Sequence, residues 1–159
     1  MMIRRPASIA ATLALLVAAS ACTQEEADAP RADEASATAA LPRTASEAGA
    51  SVFFITPADG ATVASPVTVE FGIEGMTVVK AGDDTPSSGH HHLLVDTGLP
   101  NPGLPIPADE NHIHFGDGST LTELTLAPGT HTLQLLLGDH LHIPHDPPVT
   151  SETISITVK

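Results

Sequence analysis

The chain has 159 residues, enough for one domain of ordinary size plus a targeting segment, and too few for two cores. Six Lys and Arg stand against nineteen Asp and Glu, a formal net charge of -13, which excludes electrostatic binding to nucleic acid or to an anionic membrane face. A field of that sign attracts cations.

Residues 1–22 have the pattern of a signal peptide. Arg4 and Arg5 form a basic start, Ile9 to Ala19 is apolar but too short to span a bilayer as a mature helix, and Ala19-Ser20-Ala21 is a small-residue cleavage site. Cys22, the single cysteine, follows directly. The pattern predicts lipidation at Cys22 and an exported periplasmic lipoprotein, on the outer membrane in preference to the inner, held to the membrane by its lipid. Leu16-Val17 sits early for a lipoprotein box, so an ordinary A-x-A cut releasing a soluble periplasmic protein stays open as the alternative. With Cys22 lipidated, no thiol remains for a disulfide, a zinc finger or a nucleophile. Residues 23–50 are rich in Ala, Glu, Asp, Ser and Thr, with Pro30 and Pro42 and no apolar period, which predicts a flexible tether.

From Ser51 to the end at residue 159 the texture is that of an all-β domain. Ser51 to Ile55 is a first strand, and Pro57-Ala58-Asp59-Gly60 a turn. Val67, Val69, Phe71 and Ile73 then alternate with Thr68, Glu70, Gly72 and Glu74, giving a strand with one buried face. Met76 to Lys80 is a short run, and His91 to Val95 an apolar strand. Pro100, Pro102, Pro105 and Pro107 keep the next stretch out of any ladder up to Asn111. His112 to Phe115, Leu121 to Leu126, and a central strand from His131 to Leu137 follow, and Ile154, Ile156 and Val158 alternate in the last. About seven or eight short strands, each needing one buried face, predict two packed antiparallel sheets, an immunoglobulin-like Greek-key β-sandwich; a closed barrel is the alternative. Phe is the only aromatic, so the core is aliphatic and lacks the Cys–Trp–Cys centre of antibody domains.

All nine histidines lie after position 89. They group as His90-His91-His92, His112-Ile113-His114, the single His131, and His140-Leu141-His142-Ile143-Pro144-His145. Residues i and i+2 of a strand share a face about 6.6–7 Å apart, so H-x-H can bring two imidazoles to one ion at nitrogen–metal distances of about 2.0–2.1 Å. The predicted pool, supplying three or four ligands, is His90, His92, His112, His114, His142 and His145. Imidazole suits Cu(II) and Zn(II), whereas a mature chain without Cys and with Met76 as its single Met disfavours Cu(I). Asp96, Asp109, Glu110, Asp139 and Asp146 lie near these groups, and Asp109, Glu110 and Asp146 are the first choices to hold the free ring N–H groups. His91 and His131 share parity with Leu93 and Leu133 and are expected as hydrogen-bonded interior residues. In the competing reading the carboxylates merely hold the imidazoles, making a staple or a pH-sensitive lock in a structural or protein-binding domain.

Four stretches, FFITPADGATVASPVTVEFG, SGHHHLLVDT, IPADENHIHFGDG and LQLLLGDHLHIPHDPP, resemble the bacterial domain-of-unknown-function family 4399 over about Ser51 to Lys159. The resemblance implies an exported domain whose histidine-bearing stretches belong to the family motif, and it carries no activity. A looser resemblance joins His112-Ile113-His114-Phe115-Gly116-Asp117 to the copper neighbourhood of Cu/Zn superoxide dismutases; the disulfide cysteines and any Arg after Arg43 are missing here. No G-x-S-x-G, P-loop or H-E-x-x-H motif occurs, so the chain is read as a binder in preference to an enzyme, with a dismutase-like copper enzyme as the lesser alternative.

Overall fold

The computed structural model describes residues 41–159. The signal-peptide reading, Cys22 and most of the expected tether lie outside the described residues. Among those described there is no helix, and the domain is all-β. The strands are β1 (Ser51–Thr56), β2 (Thr62–Val63), β3 (Val67–Glu74), β4 (Thr77–Val78), β5 (Ser88–Val95), β6 (His112–His114), β7 (Leu121–Leu124), β8 (Gly129–Gly138) and β9 (Ile154–Val158).

They form a three-stranded sheet, β1-β3-β7, and a six-stranded sheet, β2-β9-β8-β5-β4, with β6 added against β5. The long pairings are antiparallel. The two-residue strands β2 and β4 pair in parallel with β9 and β5, and β2 lies outside the expected set because two residues cannot show an alternation.

The two layers share one apolar core. Val52, Val67, Val69 and Phe71 from the small sheet meet Leu93, Leu133, Leu135 and Ile156 from the large one. Strand β3 buries Val67, Val69 and Phe71 and exposes Thr68 and Glu70, as its period of two requires. Strand β5 is different, because all eight of its residues are buried. Its Leu93 and Val95 face the shared core. On its other face Leu94 packs with Ile106 and Leu136. That second cover is the proline-rich loop, tied down where the Ile106 N–H donates to the His142 carbonyl at 2.7 Å.

Residues 41–50 depart from the tether reading. Ala45 bridges Asp146 in parallel, Ser46 N–H donates to the Asp146 carbonyl at 3.1 Å, and Asp146 N–H donates to the Thr44 carbonyl at 2.9 Å. The Arg43 guanidinium donates to the carbonyls of Pro144 and His145 and pairs with the Asp146 carboxylate at 3.1 Å. This segment is a strap, held by polar and backbone bonds that require no apolar period. The ordered domain therefore begins before Ser51.

The two histidines expected in the interior part company. His131 sits at the margin, with Nδ1 at 2.7 Å from Asp96 Oδ2 and Nε2 at 2.9 Å from the Ala127 carbonyl. Both nitrogens face acceptors, so the bonds to Asp96 and then Ala127 raise its pKa. A raised folded pKa adds stability that is fully present below the unfolded value of about 6.5 and is lost as pH climbs through the folded value. Melting temperatures of wild type and His131→Gln should therefore differ most at pH 5.5 and converge by pH 8.5, with a gap worth under about 1 kcal/mol for so peripheral a pair. A gap that widens toward alkaline pH contradicts this assignment.

His91 is fully buried, its ring edge-on to Phe71 at 4.7 Å, and neither ring nitrogen has a hydrogen-bond partner among the described residues. The expected hydrogen bond is absent there because its surroundings are apolar side chains of both sheets. Burial lowers its pKa to about 4, so the ring is neutral at pH 7. An orphaned buried polar group costs about 1–3 kcal/mol, so His91→Leu should keep or raise the melting temperature, and more so at pH 5.5. A loss of comparable size would show that the imidazole performs a polar task.

Candidate metal centre

The second face of β5 carries the site. His90 and His92, two residues apart, point away from the shared core, and β6 lies alongside with His114 directly opposite His92. On the other flank the register places His90 opposite Gly138 of β8, and that glycine leaves room for the ring beside it. A Cβ at Gly138 would come within 2.9 Å of His92 Nε2.

The fourth ring comes from the turn after β8. Asp139, 1% exposed, folds this turn around its carboxylate: Oδ1 accepts from the N–H groups of Leu141 and Ile143 at 2.9 Å, and Oδ2 accepts from Thr44 Oγ1 at 2.8 Å. His142 N–H closes the turn onto the Asp139 carbonyl at 2.9 Å. His142 itself has φ 65°, in the left-handed region. That conformation costs a non-glycine residue about 1–2 kcal/mol, a strain characteristic of functional turns.

His90, His92, His114 and His142 thus form one cluster. Ring centroids are 4.9 Å apart for His90 and His92, 4.9 Å for His90 and His114, 4.8 Å for His90 and His142, and 4.8 Å for His114 and His142. His92 and His114 are 5.0 Å apart, and the widest pair, His92 and His142, 6.0 Å. One ring nitrogen each from His90, His114 and His142 lie within 4.8 Å of one another. Nε2 of His92 is 3.1 Å from Nε2 of His90. Two nitrogens bound to one ion at about 2.0–2.1 Å stand about 2.9–3.4 Å apart at angles between square and tetrahedral, so that spacing fits joint ligation as well as a hydrogen bond.

The electrostatics suit ligands. Burial, then the charges of His142 and His114, lower the His90 pKa to about 4. Burial, then His90, lowers that of His92 to about 2. His114 is lowered too, by burial and then His142. These rings present lone pairs at neutral pH without first losing a proton. Nδ1 of His90 and of His92 is buried with no partner among the described residues, so the donor set is incompletely satisfied by protein alone.

The remaining candidates lie elsewhere. His112 Nδ1 bonds Asp109 Oδ1 at 2.8 Å at the rim. His145 is fully buried but turned toward Gly89, with Nδ1 at 3.3 Å from the Thr44 carbonyl. Of the carboxylates favoured from sequence, Asp109 serves His112, Asp146 pairs with Arg43 and Glu110 is exposed. Asp139 takes the supporting role instead, because it alone of the group is buried beneath the ligand turn; its bonds from Ile143, Thr44 and Leu141 outweigh burial and keep it ionised. Gly138 had no sequence signal beyond its place before Asp139.

Gly138→Ala should push the His92 ring out of the cluster, lowering stability by about 1–3 kcal/mol and weakening any bound ion. A variant with unchanged melting temperature and unchanged metal uptake would show that the glycine cradle is incidental.

Residues 69–159, which include every histidine of the cluster, match the family model described as Domain of unknown function (DUF4399). No curated protein and no solved structure matches the chain.

Proposed function

The chain belongs to the domain of unknown function family DUF4399, whose description names no activity, and we propose that it is an exported envelope protein that binds one divalent transition-metal ion through clustered histidines. The observation that carries this reading is the approach of three ring nitrogens, from His90, His114 and His142, to within 4.8 Å of one another, with His92 beside them. An all-imidazole set of this kind suits Cu(II) or Zn(II). The acidic charge of the chain favours cation approach. His114 is exposed and His142 half-buried, so an ion reaches the buried pair through them. Export rests on Arg4, Arg5 and the apolar run that follows, and lipid anchoring on Cys22.

A second reading has the cluster as an internal staple. It is favoured by the 3.1 Å contact of His90 and His92, which one tautomer of each ring turns into a hydrogen bond, and by the pairs His112–Asp109 and His131–Asp96.

Titration of untagged protein with Cu(II) and Zn(II) separates the two. Uptake of one ion per chain is expected, weakened at least about 100-fold by His114→Ala with His142→Ala and within about threefold of wild type for His112→Ala. Uptake no tighter than ~10 μM, or indifferent to the paired substitution, would leave the staple.

A further inference from the structure

The strap at residues 41–46 has no part in the cluster, yet its polar bonds end on Asp139, at the start of the turn that carries His142, and on residues 144–147 just after that turn, with one more to Gly103. Thr44 Oγ1 donates to Asp139 Oδ2 at 2.8 Å, on the same carboxylate whose other oxygen holds the N–H groups of Leu141 and Ile143, the two neighbours of His142. Arg43 holds the carbonyls of Pro144 and His145 beyond the turn. Ser46 Oγ donates to the Pro147 carbonyl at 2.9 Å, and Leu41 N–H reaches the Gly103 carbonyl of the proline loop at 3.3 Å. The turn is therefore gripped on both sides by a segment far away in sequence.

A turn holding a left-handed histidine needs such a grip. His142 has φ 65°, and its alternative is relaxation toward ordinary backbone values, which would swing the ring away from His90 and His114. Asp139 opposes that relaxation only while its carboxylate is itself fixed. Thr44 is its one side-chain hydrogen-bond donor among the described residues.

We propose that Thr44 is a positioning residue for the metal centre, so that docking of the strap and occupation of the histidine cluster by a divalent ion strengthen each other. The inference rests on the metal-binding reading above. Since coupling between two sites is reciprocal, whatever factor the docked strap adds to ion affinity, the ion adds to strap docking. Partners that orient ligands from behind are worth about tenfold in metal affinity, which sets the expected size.

The test uses the full chain with Zn(II) and Cu(II) as probes. Thr44→Val should weaken the ion by about tenfold and Thr44→Ser should restore it, a rescue that mere loss of packing does not predict. In the wild-type protein, hydrogen exchange at the amides of Ser46 and Asp146 should slow by a similar factor when the ion is added. Ion affinity unchanged in Thr44→Val, with strap exchange indifferent to the ion, overturns the positioning role while wild-type uptake keeps the metal reading. Absence of uptake by the wild type overturns both. Should Thr44→Val not fold, exchange in the wild type alone decides, slower amides supporting the link and unchanged ones refuting it.

Discussion

The site depends on the burial of β5 over both of its faces. A strand with all eight residues out of water has no solvent to satisfy its side chains, so its three consecutive histidines depend on the protein alone for partners, and the His91 ring has none among the described residues. The period of two sends them different ways: His91 goes into the shared apolar core against Phe71, while His90 and His92 go to the outer face. There the answer is neither a carboxylate nor a backbone carbonyl but further imidazoles, brought by β6 and by the turn after β8.

That choice has an electrostatic consequence. Neutral rings in contact tolerate burial, but a proton added to His90 or His92 would meet both a dry environment and neighbouring imidazoles, and so the pKa values of these two fall well below the ordinary histidine range. Close rings with buried nitrogens left unpartnered form a set of donors that could hold a metal ion. The buried carboxylate at the start of the His142 turn, Asp139, is used structurally, in shaping that turn, with its charge directed at backbone N–H groups and Thr44.

Much of this was legible in the residues. The alternations of β3 and β9 identify their buried faces, and the H-x-H pairs at 90–92 and 112–114 lie on two strands, β5 and β6, that pair with each other. What could not be read is which members converge. His114 joins and His112 does not because Asp109, three residues earlier, captures the His112 ring first. His142 joins and His145 does not because the left-handed backbone at His142 redirects the chain, a feature with no glycine to announce it. The strap is not legible in the residues because its anchoring is by backbone groups and polar side chains, which look the same in a tether. Asp139 was one of five acidic neighbours, and only burial distinguishes it.

X-ray absorption at the metal edge of the Zn(II)- or Cu(II)-loaded protein tests the convergence most directly. One ion bound by at least three imidazole nitrogens at about 2.0–2.1 Å is the predicted result. A shell made of oxygen, or one with a single imidazole, would contradict it and return the four rings to the role of packing.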